Sequence, residues 1–534
     1  MPLDTLVSGR IATLAGTTGF GWVEAVGIRD GRIAFAGSAV DLESRADPHT
    51  RRIELEPGEI AIPGLVDAHL HLVDAALDAE RLDFRSAATL DDGLTAIARV
   101  AAERAPGEWL QGGGWNPTRW GRWPSAADLE RVCPGRLVAL WAFDRHALWV
   151  SRTALAAADP PDEGSRAPVD VPEGILLEGD TRRVTRIIPQ PAEPAVERAV
   201  EALARRLLGY GVVGIHDPGL LARAAPLWTQ DVLVRLAERD DLAVRVHAGI
   251  REDALPAALE RGLRSGARLT PHDAPDRVRM GWLKLFADGT LSSGTAALLQ
   301  PGADGGRGVF TTTPAALRGL AGQAAAGGIA TQIHAIGDAA VRAALDALEP
   351  TTSRVPAMPR VEHVQLCAPS DRARFGAGIA VSIQPVHLRE DAAPARRAWG
   401  DRAESSGYAW RSLLEAGATL AFGTDAPVEP IDPWPGIGMS VLRRSPDWPP
   451  EQPAFGPNEA LTLEQALRAA TVGPSVVARE PDRGRLTPGC MADIAVLPAS
   501  PRETAADAAT GGVGGFASVR PRLVLVDGET VLER

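Results

Sequence analysis

The chain has 534 residues and a formal net charge of −12, with 45% hydrophobic and 23% charged residues. This is the composition of an ordinary globular protein with ample apolar material, and the length suits a large barrel plus one smaller domain. The acidic balance argues against a nucleic-acid partner, because phosphate binding needs a basic surface.

No segment of the sequence predicts export or membrane insertion. The first residues, MPLDTLVSGRIATL, lack a basic region followed by an apolar run. No apolar stretch reaches the ~18 residues that span a bilayer. Three scattered cysteines, Cys133, Cys367 and Cys490, form neither a disulfide framework nor a CxxC zinc pattern. We therefore expect a cytoplasmic protein with no membrane partner.

Short strand-like runs separated by turns occur at both ends of the chain. Residues 1–60 include WVEAVGIRDGRIAFAG, and residues 485–534 include ADIAVLPAS and PRLVLVDGETVLER. Each end has an Asp-Gly pair, Asp30-Gly31 and Asp527-Gly528, which is a hairpin signal. We expect the two groups of strands to form one small β-sandwich domain.

The middle of the chain, residues 61–484, alternates apolar β-runs with Ala/Arg/Leu-rich helical stretches. This alternation predicts an α/β fold with a parallel sheet, and eight strong runs favour a (β/α)8 TIM barrel. Residues of about 80–190, which include the tryptophan-rich WLQGGGWNPTRWGRWP, are predicted to be an insertion after the first strand. The eight runs are EIAIPGLVDAHLHL, VVGIHDPG, AVRVHAGI, GWLKLFADG, IATQIHAIG, RVEHVQL, IAVSIQP and ATLAFGTDAPV.

Polar residues near the ends of five of these runs form a candidate metal site. Side chains at i and i+2 of a strand point the same way, so the His-Leu-His of the first run presents two imidazoles together. The active site of a barrel lies at the carboxyl ends of its strands, and imidazole, neutral amine and carboxylate all bind or assist metals. The candidates are His69, His71, Lys284, His334, His363 and Asp425.

Each candidate alone has an ordinary explanation, because a strand histidine is often a packing residue and an Asp often caps a segment. Their joint occurrence on five strands favours the metal site. Lys284 is also the only lysine in a chain with 56 Lys+Arg residues. His216 and His247 are predicted to line a pocket or pack, and His49, His272 and His387 to lie at the surface or a pocket rim.

The motifs PGLVDAHLHL, KLFADGTLSSGTAAL, IHAIGDAAV, EHVQL and FGTDAPVEPIDPW, in this order, resemble amidohydrolase family 3. This branch of the amidohydrolase superfamily contains the N-substituted formamide deformylases. The tryptophan-rich GGGWNPTRW and the segment DRHALWVS also fit the branch. The resemblance runs from about residue 5 to the last residues and implies a metal-bearing TIM barrel with a small β-sandwich.

The resemblance also implies roles for the candidate residues. His69, His71 and Asp425 would hold one divalent ion, and His334 and His363 a second. Lys284 would carry CO2 as a carbamate that bridges the two ions. Zinc is the first expectation, with iron, manganese and nickel as alternatives.

This chemistry explains why the position holds lysine. Burial lowers the pKa of an amine, and the neutral amine adds CO2. An arginine remains protonated and cannot do so. A snorkelling or salt-bridged lysine is the alternative explanation.

The predicted reaction is hydrolysis of a non-peptide C–N bond in a small molecule, such as an N-substituted formamide or another N-acyl compound. Two close metal ions acidify a bridging water and polarise the substrate carbonyl, and Asp425 is expected to move the proton to the leaving nitrogen. The predicted substrate-binding residues are Trp115, Asn116, Asp144, His146 and Asp288. Packing is the alternative role for the tryptophans. Asp288 either orients the metal ligands or the group that bridges the ions, or it simply forms the turn that ends its strand.

Three other functions stay open at this point. A mononuclear deaminase of the same superfamily would not need Lys284. A metal-dependent esterase or lactonase would use the same site on a C–O bond. A metal-free binding or scaffold protein would be expected to have lost ligands, and none of the six is missing. A homodimer is a family-based expectation.

Overall fold

The computed structural model describes residues 3–143, 145, 147–158, 160, 171–189, 191–221, 227–498 and 513–534. The chain divides into two compact units. The first comprises Met1–Leu72, Glu201–Ala426 and Pro430–Arg534, and the second comprises Val73–Val200 with Pro427–Glu429. The predicted residues Asp144 and His146 lie outside the described residues.

The described β-strands, numbered in chain order, are β1 Thr5–Ala12, β2 Trp22–Arg29, β3 Arg32–Gly37, β4 Arg51–Glu54, β5 Ile60–Pro63, β6 Leu65–Asp67, β7 Leu82–Asp83, β8 Trp109–Trp115, β9 Leu137–Ala142, β10 Ala147–Val150, β11 Ile175–Leu177, β12 Val212–Asp217, β13 Arg245–Arg251, β14 Val278–Phe286, β15 Thr331–Ala335, β16 Arg360–His363, β17 Ala380–Ile383, β18 Leu420–Phe422, β19 Ile494–Leu497, β20 Leu523–Val526 and β21 Glu529–Glu533.

The described α-helices are α1 Ala39–Glu43, α2 Leu72–Asp78, α3 Leu90–Glu103, α4 Pro117–Trp120, α5 Ala126–Val132, α6 Arg152–Ala157, α7 Arg182–Thr185, α8 Glu193–Leu208, α9 Trp228–Glu238, α10 Leu255–Glu260, α11 Pro314–Ala326, α12 Asp338–Leu348, α13 Pro369–Arg372, α14 Leu388–Trp399, α15 Arg402–Ser405, α16 Trp410–Glu415, α17 Trp434–Leu442, α18 Leu463–Ala469 and α19 Val472–Ala478.

Eight parallel strands of the first unit form a nearly closed barrel, as the sequence predicted. Their order is β18-β17-β16-β15-β14-β13-β12-β6, and at least one helix follows each strand. The two ends of the sheet meet where Ala68 N donates to Phe422 O at 2.8 Å. The strands are buried almost throughout, which is why they appear in the sequence as nearly continuous apolar runs.

Each predicted run contains a barrel strand, but the interpretation of EIAIPGLVDAHLHL as one strand was wrong. It contains two strands in two different sheets. β5 pairs antiparallel with β19, and β6 pairs parallel with β12. Gly64 makes the passage between the sheets, and a Cβ there would meet the Val213 side chain at 2.6 Å. Only glycine therefore fits at this crossing.

Strands from both ends of the chain form one eight-stranded sheet in the first unit. Its order is β21-β20-β19-β5-β1-β2-β3, with β4 pairing with β1. Both Asp-Gly pairs lie in hairpin turns with positive φ, 52° at Asp30 and 53° at Asp527, which Asp and Gly tolerate. The sharing of one sheet by both ends agrees with the sequence. The folding of that sheet into a two-layer sandwich stays a prediction.

The second unit has its own five-stranded sheet, in the order β11-β10-β9-β8-β7. Its core contains a cluster of tryptophans, in which Trp115 lies within 6.5 Å of Trp149 and 5.7 Å of Trp123 between ring centroids. The tryptophans of the predicted insertion therefore serve, at least in part, as packing residues. Among the described residues of either unit, no helix has the length and apolar character that crossing a membrane requires.

Candidate metal centre

The six predicted ligands all lie at or near the carboxyl ends of barrel strands. His69 and His71 follow β6, and Asp425 follows β18. Lys284, His334 and His363 lie within the last residues of β14, β15 and β16. In a parallel barrel these ends share one face, which is where barrel enzymes place their active sites.

Asp425 lies among four histidines, His69, His71, His363 and His387. Its Oδ1 lies 3.3 Å from His69 Nε2 and 3.4 Å from His71 Nε2. Its Oδ2 lies 3.2 Å from Nε2 of His387. Two groups of possible ligand atoms therefore share this carboxylate: His69, His71 and Asp425 form one, and His363, His387 and Asp425 form the other, each with all atoms within 4.8 Å.

The first group fits a divalent cation. His69 Nε2 is buried and has no hydrogen-bond partner within the described part of the chain, although it faces the Asp425 carboxylate. A buried polar atom without a partner is costly unless something else binds it. Burial, assisted by Lys284, lowers the pKa of His69 to about 4, so the ring stays neutral, as a metal ligand must be.

Hydrogen bonds fix the tautomer of both histidines. His69 Nδ1 donates to Glu362 Oε2 at 2.6 Å, and His71 Nδ1 donates to Gly219 O at 2.5 Å. Both partners can only accept, so each Nδ1 carries the proton and each Nε2 offers a lone pair towards Asp425. This is the usual arrangement around a metal-bound histidine.

Lys284 is buried, with 1% of its surface exposed. Burial lowers the pKa of its amine to about 8, against the opposing attraction of Glu362 and Asp425. A substantial share of the amine is therefore neutral near pH 8, and only the neutral amine can add CO2. The environment thus suits the carbamate that the sequence led us to expect.

His334 and His363 lie side by side, with ring centroids 4.6 Å apart. His334 Nε2 lies 3.0 Å from Gly289 O, so a metal bond from His334 would have to come from Nδ1. Burial and the neighbouring His334 keep the pKa of His363 well below its usual value. His363 and Asp425 both have positive φ, 72° and 61°, a conformation that is uncommon for residues other than glycine and that recurs at functional sites.

Asp67 joins the two barrel strands that carry His69 and Asp425. Its carboxylate accepts from Thr424 Oγ1 at 2.6 Å, from Thr424 N at 3.0 Å and from His69 N at 3.1 Å. The approach is close enough that a Cβ on Gly423 would meet His69 N at 2.5 Å. These contacts set the spacing between the first and last barrel strands at the site.

The predicted substrate-binding residues have contacts of their own. Asp288 is buried and its carboxylate accepts from the backbone N–H groups of Ala297, Ile336 and Gly337 at 2.8–3.0 Å. In the second unit, Trp115 Nε1 donates to Leu140 O. The Asn116 side chain there caps α4. The substrate-binding role of these residues stays a prediction.

Three residues at the site were not among the predicted ligands. Glu362 and Arg360 occur in the run RVEHVQL and pair with each other, Nε to Oε1, at 2.7 Å. His387, expected at the surface or a pocket rim, is instead largely buried against Asp425. For Arg360 and Glu362 the sequence did contain a signal, because both are charged residues inside an apolar strand. Charged residues are rarely fully buried unless they are paired.

A (β/α)8 barrel with histidine, aspartate and lysine side chains at the carboxyl ends of its strands defines a metal-dependent hydrolase. The chain belongs to the Amidohydrolase family, whose model (Amidohydro_3) matches residues 57–532. The family named from the sequence motifs is therefore confirmed.

Relatives align over nearly the whole chain. Protein LONG AFTER FAR-RED 3 of Arabidopsis thaliana is 30% identical over 520 residues, covering 92% of this chain and 87% of that protein. N-substituted formamide deformylase of Arthrobacter pascens is 27% identical over 557 residues, covering 96% and 95%. The crystal structure of an uncharacterized metal-dependent hydrolase from Pyrococcus horikoshii superposes with a TM-score of 0.76 at 23% identity, covering 93% and 98%. The structural likeness establishes the fold.

Proposed function

We propose that the protein hydrolyses a non-peptide C–N bond in a small molecule, an N-substituted formamide or another N-acyl compound. The observation that carries the proposal is the Asp425 carboxylate, one oxygen of which faces His69 and His71 while the other faces His387. The similarity to an N-substituted formamide deformylase across both chains supports this substrate class.

The proposed cofactor is a pair of divalent ions, zinc in the first place, because nitrogen and oxygen ligands of this kind suit zinc. His69, His71 and Asp425 would hold one ion, and His334 and His363 the other, with Lys284 as a carbamate between them. Bound ions of this kind lower the pKa of a coordinated water and polarise a carbonyl oxygen.

The side chains of the protein contribute to the reaction by accepting and donating protons, and Asp425 is the proposed group. Although burial raises it, the pKa of Asp425 is lowered by His387, whose Nε2 lies 3.2 Å from Oδ2. Asp425 is therefore ionised and able to accept a proton from the attacking water. It then passes this proton to the leaving nitrogen as the C–N bond breaks, which is general acid–base catalysis by one group.

Lys284 provides the experiment that tests the proposal. The wild-type protein, loaded with zinc, is assayed against N-formyl, N-acyl, cyclic amide and ester substrates, and its intact mass and metal content are measured. We expect hydrolysis of an amide-type substrate, a mass increase of one CO2 on Lys284, and two ions per chain. Lys284→Arg should lose the CO2 and one ion, and Asp425→Asn should lower kcat/KM by about 10²- to 10⁴-fold.

Lys284→Glu is the matched variant, because its carboxylate is an anionic oxygen ligand that needs no CO2. It should retain more of the second ion than Lys284→Arg does. Full activity with both ions in Lys284→Arg would contradict the proposal. One ion and an unmodified lysine in the wild type would favour a mononuclear deaminase, and a preference for esters would favour an esterase or lactonase.

A further inference from the structure

A row of buried polar side chains leads away from the metal centre along the inside of the barrel. We call His69, Glu362, Arg360 and His216 the inner polar row. His69 Nδ1 contacts Glu362 Oε2 at 2.6 Å, Glu362 Oε1 contacts Arg360 Nε at 2.7 Å, and Arg360 Nη1 contacts His216 Nδ1 at 2.9 Å. Arg360 and Glu362 are at i and i+2 of β16, so both point to the same side of the strand.

The ion pair at the centre of this row is energetically costly to bury. Both Arg360 and Glu362 are completely buried, with 0% exposure, and removing two charges from water costs several kcal/mol per ion in real proteins. A pair of apolar side chains would serve stability as well or better. The retention of the charges at this place therefore points to a task other than stability.

The chemistry of each member fixes which groups of the row donate and which accept. The Arg360 guanidinium is always protonated, so it must donate to His216, whose Nδ1 is then an unprotonated acceptor. Glu362 lies 2.7 Å from the Arg360 guanidinium, so it is a carboxylate of an ion pair and can only accept. His69 must in turn donate through Nδ1, which leaves Nε2 as a lone pair towards Asp425.

Two further contacts hold Arg360 in place. Its guanidinium donates to the side-chain oxygen of Gln332, and it lies over the Trp282 ring at 4.3 Å. With His216 on another strand, β12, Arg360 is held from several sides of the barrel interior. Its position, and with it the position of Glu362, is therefore set by residues that lie outside the group of ligands around Asp425.

We propose that Arg360 and His216 are positioning residues of the metal centre, which act through Glu362 to fix the tautomer and orientation of His69. The inference rests on the proposed function, because it requires that His69 binds a metal. Partners of metal-bound histidines typically affect metal affinity by 10- to 100-fold when they are replaced, and this row extends that effect beyond the immediate partner.

His247 provides a matched control. It occupies the position on β13 that pairs with His216 on β12, it is also buried, and its ring lies 5.7 Å from Trp282. Its ring also packs edge-on against that of His216 at 4.9 Å, but its Nε2 faces Glu480 at 3.5 Å, which is outside the inner polar row. Damage to the barrel interior in general would affect both histidines alike, whereas loss of positioning would affect only His216.

The test measures the affinity of the full-length protein for zinc by competition with a chelator, and the visible spectrum of the cobalt(II) form, which reports coordination geometry. Glu362→Gln should weaken zinc binding by about 10- to 100-fold and His216→Leu by about tenfold, both with an altered cobalt spectrum. His216→Asn keeps an acceptor atom where Nδ1 lies and should restore the wild-type spectrum. His247→Leu should change neither measurement.

The double variant separates positioning from unfolding. If His216 acts through Glu362, His216→Leu should cause no further loss in the Glu362→Gln background, because the two changes interrupt the same row. Wild-type affinity and spectrum in folded His216→Leu, or an equal effect of His247→Leu, would overturn the inference and leave the proposed function intact. Failure of the wild type to bind zinc or cobalt would instead overturn the proposed function.

Discussion

Asp288 has a structural task that its position in the sequence did not reveal. Its carboxylate accepts three backbone N–H groups, from Ala297 in the segment after β14 and from Ile336 and Gly337 after β15. Burial raises the pKa of this carboxyl to about 7, while the three hydrogen bonds act to lower it. Asp288 therefore connects the two loops that follow the strands of Lys284 and His334.

Asp288→Asn tests this task. The amide would present an N–H group where the carboxylate accepts, so at least one buried backbone N–H loses its partner. We expect the free energy of unfolding to fall by about 3 kcal/mol, measured by urea denaturation. Asp304→Asn is the control, because Asp304 also accepts from a backbone N–H, that of Gly306, but is exposed; its change should stay within about 0.5 kcal/mol. Equal effects of the two changes would contradict the assignment.

At the scale of single residues, the sequence predicted that the candidate ligands lie at or near the carboxyl ends of barrel strands, but not which residues contact them. Lys284 and His69 could be named as candidates because one lies in an apolar strand and the other directly after one. The contacts of Glu362 with His69 and of His387 with Asp425 could not be predicted, because they depend on how neighbouring strands are shifted relative to each other, and no local pattern encodes that shift. The functional role of the ligands themselves stays a prediction until metal binding is measured.

At the scale of elements, the sequence predicted the existence of strands and missed some of their ends. β5 and β6 occur in one apolar run because each is buried in its own sheet, so the run shows no polar gap at the transition. The crossing at Gly64 is defined by close contact with Val213, which belongs to another strand. Such a boundary depends on tertiary packing rather than on the residues of the run.

Helix α5 provides a pH prediction for one element of the second unit. Asp128 forms a capping box with Ser125 and a two-bonded ion pair with Arg122 at 2.8 and 2.9 Å. The bonds from Arg122, opposed by burial, and those from Ser125 lower the pKa of Asp128 from 3.8 to about 2. Because this acid is stronger in the folded protein, its stabilisation is complete above about pH 4 and is lost as the pH falls towards 2.

Asp128→Asn should therefore be less stable than the wild type by about 2 kcal/mol at pH 6, and by less than about 0.5 kcal/mol near pH 2. Tryptophan fluorescence during urea unfolding is a suitable measurement, because Trp149 donates a hydrogen bond to Ser125 O at this helix. Asp92→Asn, in the capping box of α3 but exposed, should show a smaller change. A difference for Asp128→Asn that does not vary with pH would exclude the ion pair as its cause.

At the scale of the whole molecule, ionic contacts join the terminal sheet to the barrel of the first unit. Arg245, which begins β13, contacts Asp493 at 2.7 Å and also pairs with Asp527. Asp527 receives a second contact from Arg277 at 2.9 Å. The turn at Asp527-Gly528 is thus both a hairpin and the acceptor for two arginines of the barrel.

Asp527→Asn should lower the free energy of unfolding by about 1–3 kcal/mol, because it removes the charge that two arginines share while it keeps a residue that tolerates positive φ. Asp30→Asn makes the same change in the exposed Asp-Gly turn of the first hairpin and should have little effect. Thermal unfolding at low and high salt checks both variants. An equal loss in the two would show that the turn itself, and not the ion pairs, is responsible.

The overall architecture was the most predictable level. Eight apolar runs separated by helical stretches predicted the barrel, and short strand-like runs at both ends of the chain predicted that the two ends join in one small β-domain. The number of barrel strands can be counted from the sequence, because each buried strand is a run of apolar residues whatever its neighbours are. The arrangement of the terminal sheet in layers depends on contacts between distant segments, and it stays a prediction.

The shared terminal sheet has a consequence for biosynthesis. Arg51 contacts Thr530, 479 positions further along the chain, and β5 finds its antiparallel partner only in β19. At ribosomal speeds of about 5–20 residues per second, the last strands of this sheet are synthesised on the order of tens of seconds after the first ones. During that time the apolar Ile60–Pro63 strand has an unpaired edge, and such edges attract other chains. The nascent protein is therefore most exposed to aggregation, and most dependent on chaperones, while the barrel is still being translated.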